Sequence, residues 1–492
     1  MTTVDTNASA PDGPDDSARN SLVIGLLLVS AFTVILNETI MSVALPRLMS
    51  DLGVTASAAQ WLTTAFLLTM AVVIPITGFL LQRFHTRPVF LAAMGFFSLG
   101  TLICALAPGL PMLIGGRVVQ AVGTAMMMPL LMTTVMTLVP PAKRGQTMGN
   151  ISIVISVAPA IGPTISGIIL NYLHWRWMFW IVLPIGLAAL LLGALKLVNV
   201  TEPRRPKLDL LSVPLSAIGF GGLVYGLSSI GESLAPTHEA LVPLWVPLVV
   251  GGVVLALFIW RQIVLAPQDR ALLDLRTFKI RVFSVSVAMM CLAMMALFGM
   301  IILLPLYMQN VLGLSALSSG LLLLPGGLVM GLMAPIVGRL FDRIGARKLV
   351  IPGAVLVSGA LWTMQSYGMD TPILVVLGGH VVLSIGLALL FTPLFTSSLG
   401  SLPPKLYSYG SAVLGTAQQV SGAAGIALFV SIMTIRTGNA LASGVDALPA
   451  TAEGLHAGFL AAAIISLGLI VAGFFVRRPP DMGGPPAHHG GH

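Results

Sequence analysis

The chain reads as an all-α polytopic membrane protein: two six-helix bundles plus two inserted helices, about fourteen transmembrane helices in all. Three observations predict this. The 492 residues are 56% hydrophobic and 9% charged, against about 25% charged in a soluble domain. Lysine and arginine crowd the loops of one side. A loop of recognisable pattern occurs after the second helix of each half.

The apolar runs fall at approximately 21–48, 59–81, 88–107, 111–138, 146–172, 176–197, 210–231, 242–264, 282–308, 314–337, 347–366, 372–397, 408–435 and 455–476. Each is long enough to cross about 30 Å of hydrocarbon as a helix, where a barrel strand needs only about 10 residues of alternating polarity. The alternate loops hold Arg83 and Arg87; Lys143 and Arg144; Lys196, Arg204, Arg205 and Lys207; Arg261 to Arg281; Arg339 to Lys348; and Lys405. The opposite loops hold Arg47, Arg176 and Arg436. Cations mark the cytoplasmic side, so both termini are expected there, in a plasma (inner) membrane. Residues 1–20 and 479–492 read as disordered cytoplasmic tails, the first lacking the basic start of a signal peptide. Between a bundle at 21–200 and one at 281–478 lies a segment, 201–280, with a charged linker and the inserted pair, near 210–231 and 242–264. Gly222 and Gly226 there have the spacing that lets helices approach closely. The net charge of +8 lies in scattered short loops and implies no nucleic-acid partner. Cys104 and Cys291 both fall in apolar runs, against a disulfide framework. The terminal histidines suggest no metal site.

The repeated loop reads Gly78-Phe-Leu-Leu-Gln82-Arg83-Phe-His85-Thr-Arg87 in the first half. In the second it reads Gly338-Arg-Leu-Phe-Asp342-Arg343-Ile-Gly345-Ala-Arg347-Lys348. The glycine permits tight packing. An acid at the N-terminus of the next helix is favoured by its dipole, and arginines reach neighbouring helix ends.

Glu38 is the one carboxylate within the apolar runs. Such a group costs about 2.5–3.5 kcal/mol on insertion scales and marks a functional site. Arg117, in span four, needs a partner for the same reason. At 1.5 Å per residue, Glu38 lies roughly 15 Å and Arg117 roughly 10 Å from the outer end of its span. They can pair there, or Arg117 can snorkel to the interface. Span five carries Pro159, Gly162, Pro163 and Gly167, a kinked helix with a smooth face. Candidates for a substrate cavity are Asn37, Gln120, Met127, Phe298, His380, Gln418 and Gln419. Methionine adapts to varied apolar ligands.

Taken together, these segments resemble the major facilitator superfamily, and within it the fourteen-helix drug–proton antiporters. The likeness rests on Asn37-Glu38-Thr39-Ile40 leading to Val43-Ala44-Leu45-Pro46; on Arg117, Gln120, Ala121 and Gly123; and on Gly162, Pro163, Ser166 and Gly167. Trp175-Arg176-Trp177 with Pro184 and Gly186, and the loop residues Gly338, Asp342, Arg343, Gly345, Arg347 and Lys348, complete it. The departures are Asn37 where the family has aspartate, with the acid one residue later; Gln82 for aspartate; and His85 for glycine. The resemblance implies a monomeric exporter in the lipid bilayer with no cofactor beyond the proton gradient. Its substrates would be lipophilic, monocationic or neutral drugs. Glu38 and Arg117 would couple protons. Gly162, Pro163 and Gly167 would form the conformational motif; Gly78, Arg83, Arg87, Gly338, Asp342, Arg343 and Arg347 would form the cytoplasmic gate. A dedicated exporter of an endogenous metabolite, antibiotic, lipid or peptide is the alternative. An intramembrane enzyme finds no support: there is no HExxH motif and no pair of intramembrane aspartates.

Overall fold

In hydrocarbon every backbone polar group must be satisfied within the chain, so the apolar runs become helices. The computed structural model describes residues 14–54, 56–199, 209–233, 243 and 245–476. The first six helices are α1 (Pro14–Leu52), α2 (Ala56–Arg83), α3 (Thr86–Leu106), α4 (Leu110–Leu138), α5 (Arg144–Tyr172) and α6 (Trp177–Lys196). The inserted pair is α7 (Ser212–Ser233) and α8 (Trp245–Leu265). The last six are α9 (Arg281–Asn310), α10 (Ala316–Ile344), α11 (Arg347–Gln365), α12 (Ile373–Gly400), α13 (Tyr407–Ala442) and α14 (Ala447–Gly473). Among the described residues, 13 helices are long and apolar enough to span a membrane, and α7 is apolar through Ser212–Leu227. One expectation is corrected: residues 14–20 are helical and extend α1, so the disordered tail expected over 1–20 is not one unit. Residues 1–13, the linker at 201–208 and the tail at 477–492 lie outside the described residues.

α1 to α6 pack among themselves, as do α9 to α14, and two seams join the bundles: α5 against α10, and α2 against α13. The first seam is built on glycine. A side chain at Gly338 would strike the backbone of Gly145, one at Gly149 would meet Ala334 and Pro335, and ones at Gly331 and Gly327 would strike Val157 and Ala160. The second runs from Gln82, through Gly78 against Ala412 and Ile74 against Gly415, to Met70 and Gln419. Both start at the face carrying the basic loops and reach about the middle of their helices. Beyond that depth, a β-carbon at Gly167 or Gly320 would meet nothing within 4 Å. The basic face is therefore shut.

The inserted pair sits at the second seam. α7 packs on α8, on α2 and on α13, so it touches both bundles. Gly222 meets Gly251 and Gly226 meets Leu248 across the pair, as the glycine spacing predicted. Trp61 of α2 stacks on Tyr225 of α7, with ring centroids 5.9 Å apart.

Candidate functional site

Small residues first bring α3 and α4 together. A side chain at Gly100 would strike Gln120, and one at Gly123 would strike Ala93 and Phe97. This close approach places a buried polar chain between the helices. Nη1 of Arg117 donates to Oε1 of Gln120 at 2.7 Å, Nε2 of Gln120 donates to Thr101 at 2.8 Å, and the Thr101 hydroxyl donates to the Phe97 carbonyl. From α2, the ring of Phe66 lies 3.9 Å from the guanidinium carbon. Arg117 is 1% exposed, so it does not snorkel to the interface. Its Nε has no hydrogen-bond partner among the described residues.

Glu38 lies at the same depth on α1. Its single-residue displacement turns it about 100° around the helix. Asn37, where the resemblance leads one to expect aspartate, is buried at 2% exposure, whereas Glu38 is half-buried. The two charges interact electrostatically. No ion pair joins them among the described residues, and the expected partner of Arg117 is replaced by Gln120 and Phe66. α5 reaches the site through Gly162, where a side chain would strike the Thr39 hydroxyl beside Glu38.

The cavity candidates divide. Gln418 and Gln419 are half-buried, and Gln419 donates across the seam to the sulfur of Met70, 3.8 Å away. Phe298 lies half-buried against Gly422. Nε2 of His380 donates to the Leu323 carbonyl, 3.2 Å away, and locks α12 on α10 beside Gly326. Gln120 is fully buried as a holder of Arg117. Met127 is buried in the hydrophobic core. Core packing holds this flexible side chain. A cavity of about 560 Å³ lined by His174, Arg176, Trp177 and Trp180 stands at the start of α6, apart from all these candidates.

The loop motifs also acquire partners. Asp342 accepts from the backbone N–H groups of Gly145 and Gln146, both at 2.9 Å. The helix start it caps is that of α5 in the other bundle, not α11, the next helix, as expected; the touching glycines 145 and 338 put α5 nearest. Gln82 donates to the Lys405 carbonyl at 2.7 Å and to Ser408 at 2.9 Å, so an amide ties the second seam. Arg87 reaches the Ala194 carbonyl at the end of α6. Arg83, Arg343 and Arg347 are exposed. The side chain of Pro163 lies outside the described residues.

Sequence reasoning missed Phe66, Thr101 and a charged anchor at the foot of the inserted pair. Asp209 accepts two hydrogen bonds from Arg261, each 2.7 Å, and caps α7 at the N–H and hydroxyl of Ser212. The Arg261 hydrogen bonds hold its carboxyl well below the usual range, at about 2. Gln262 binds Ser212 and accepts from the N–H groups of Leu272 and Leu273, which ties the pair to the segment entering α9. Of these, only the opposite charges of Asp209 and Arg261 left a trace in the sequence.

Known proteins share this architecture and much of the sequence. The family model described as Major Facilitator Superfamily matches residues 27–426. The lincomycin resistance protein LmrB of Listeria monocytogenes is 43% identical over 88% of this chain and 89% of its own length. A multidrug resistance protein B homolog of Mycobacterium tuberculosis is 30% identical over 87% of this chain and 80% of its own. In structure, the human organic anion transporter MFSD10 superposes with a TM-score of 0.67 at 16% identity, over 95% of this chain and 100% of its own. The proton:xylose symporter XylE gives 0.61 at 14%, over 92% and 96%. The chain is thus a multi-pass membrane transporter and belongs to the Major Facilitator Superfamily.

Proposed function

We propose that the chain is a proton-driven exporter of lipophilic drugs, working as a monomer in the plasma membrane with its basic face towards the cytoplasm. The observation that carries this reading is Glu38: a half-buried carboxylate within the membrane, lying beyond the depth to which the seams are shut. In that state a proton from outside reaches it while the cytoplasmic side stays closed. Rocking of one bundle against the other then carries the site inward. The resistance names of the LmrB and multidrug B relatives support drugs as the cargo.

A single proton entering per neutral drug leaving moves one charge, worth about 2.3 kcal/mol per 100 mV, so voltage and pH gradient both drive export. With a monocationic drug the exchange is electroneutral and only the pH gradient drives it. The half-buried Gln418, Gln419 and Phe298 are the residues we assign to drug contact. Energised inside-out vesicles, given lincomycin and a panel of lipophilic cations and neutral drugs, test the reading with a pH dye. Drug-dependent proton flux that vanishes in Glu38→Gln is the expected result. Wild-type flux in that variant would remove Glu38 from the mechanism. No flux with any compound would turn the assignment to an endogenous metabolite.

A further inference from the structure

A guanidinium carries five donors in a planar fork and, away from water, is normally met by a carboxylate. Arg117 is met differently. It is 1% exposed, and a carboxylate on the neighbouring helix lies within electrostatic reach. Yet its hydrogen bond goes to Gln120 at 2.7 Å, a ring covers it at 3.9 Å, and its Nε is left without a partner among the described residues. Gln120 is fixed in turn by Thr101, which leaves its carbonyl oxygen pointing at the guanidinium. Two devices therefore hold the cation on the α2–α3–α4 side: an amide carbonyl and an aromatic face. The groups facing it are Glu38 from α1, Phe66 from α2, and Thr101 and Cys104 from α3, with Gln120 on its own helix. Cys104 donates its thiol to the Leu113 carbonyl at 3.6 Å. Glu38 is the one anionic group among them.

We propose that Phe66 is a positioning residue for the proton site: its ring stacks on Arg117 and, with Gln120, holds the guanidinium away from Glu38, so that the carboxylate can take up a proton. The physical reason is competition. The negative face of the ring attracts the cation at a distance where the carboxylate does not bond it. Leucine at 66 fills the space but offers no such face, and the guanidinium then turns its free Nε towards Glu38. A carboxylate hydrogen-bonded by arginine holds its proton less well. This inference rests on the proton-coupled reading above and adds the residue that sets the proton affinity.

The test needs no drug. The infrared C=O band of the protonated carboxyl is followed against pH in the purified full-length protein in lipid, and assigned by its loss in Glu38→Gln. In Phe66→Leu the titration is expected to move to lower pH by about one unit, a tenfold change in proton affinity. Phe66→Trp, which restores a face, is expected to titrate like wild type. Fluorinated phenylalanine at position 66 keeps the shape and weakens the face, and is expected to shift the titration part of the way. That residue also serves if Phe66→Leu does not fold. Equal titration of wild type and the fluorinated protein would overturn the proposal, as would a shift in Phe66→Trp as large as in Phe66→Leu. Because the band is read without transport, an absence of drug-driven flux would overturn drugs as the cargo and leave this result standing. Flux lost in Glu38→Gln alongside an unmoved titration would overturn the Phe66 assignment alone.

Discussion

The buried Gln120 amide and Thr101 hydroxyl beside Arg117 each donate to one definite partner, so single atoms matter. Thr101 is the sole described acceptor for Nε2 of Gln120. Thr101→Val keeps the shape and leaves that amide unsatisfied, at a cost of about 1–3 kcal/mol. Thr101→Ser should restore most of it, and thermal unfolding in detergent measures both. Proton-coupled flux should fall in the valine variant as well, because Gln120 no longer aims at the guanidinium. Glu38 and Arg117 were legible in the sequence because an ionised group in an apolar run is conspicuous. Phe66 and Thr101 were not. An aromatic or hydroxyl residue in a membrane helix is ordinary, and only the neighbour across the helix interface gives it a role.

Helices here are placed by what they can approach. Gly162 lets α5 touch Thr39 beside Glu38, so Gly162→Leu must push α1 and α5 apart at the site. Overpacking of this kind costs about 1–3 kcal/mol. Normal membrane insertion with loss of the Glu38-dependent proton flux is the expected outcome, checked in the same vesicles. The inserted pair has its own anchor. The Asp209 carboxyl titrates at about 2 against an ordinary 3.8. A depressed folded value means that the anchor's contribution is fully present above about pH 4 and is lost as pH falls through about 2. The protection of the Leu272 and Leu273 amides, taken as exchange relative to the intrinsic rate at each pH, should stay high at pH 5 and fall towards pH 2. In Asp209→Asn that pH dependence should be gone. The glycine spacing in span seven foretold the close α7–α8 crossing. It held no information on which helices the pair would lie against.

At the scale of the molecule, two bundles meet along two seams shut from the basic face to mid-depth. A β-carbon at Gly78 would lie 3.1 Å from that of Ala412, near the roughly 3.5–4.5 Å of a disulfide. Gly78→Cys with Ala412→Cys should therefore cross-link under oxidation. Transport should stop and return on adding a reductant, while either single variant stays unaffected by oxidant. Free transport by the cross-linked protein would mean that this seam does not open in the cycle. Asp342 gives a second handle on the same closure. In Asp342→Ala the start of α5 loses its cap across the first seam, and a cysteine placed at the buried Ser152, which meets Thr392 of the other bundle, should react faster with a thiol reagent applied from the basic side. α7, packed on α2 and α13 alike, must slide on at least one of them whenever the bundles rock.

The chain by itself determined the spanning helices, the basic face and the two-half organisation. Hydrocarbon enforces these residue by residue: apolar length, charge avoidance and loop charge are local quantities. It also singled out Glu38 and Arg117. Tertiary structure alone decided that Asp342 caps a helix of the opposite bundle, that Met127 belongs to the core, and that Arg117 is held by Gln120 and Phe66. These outcomes depend on which surfaces meet, and glycine contacts between helices far apart in sequence, such as Gly145 with Gly338 and Gly162 with Thr39, set that meeting.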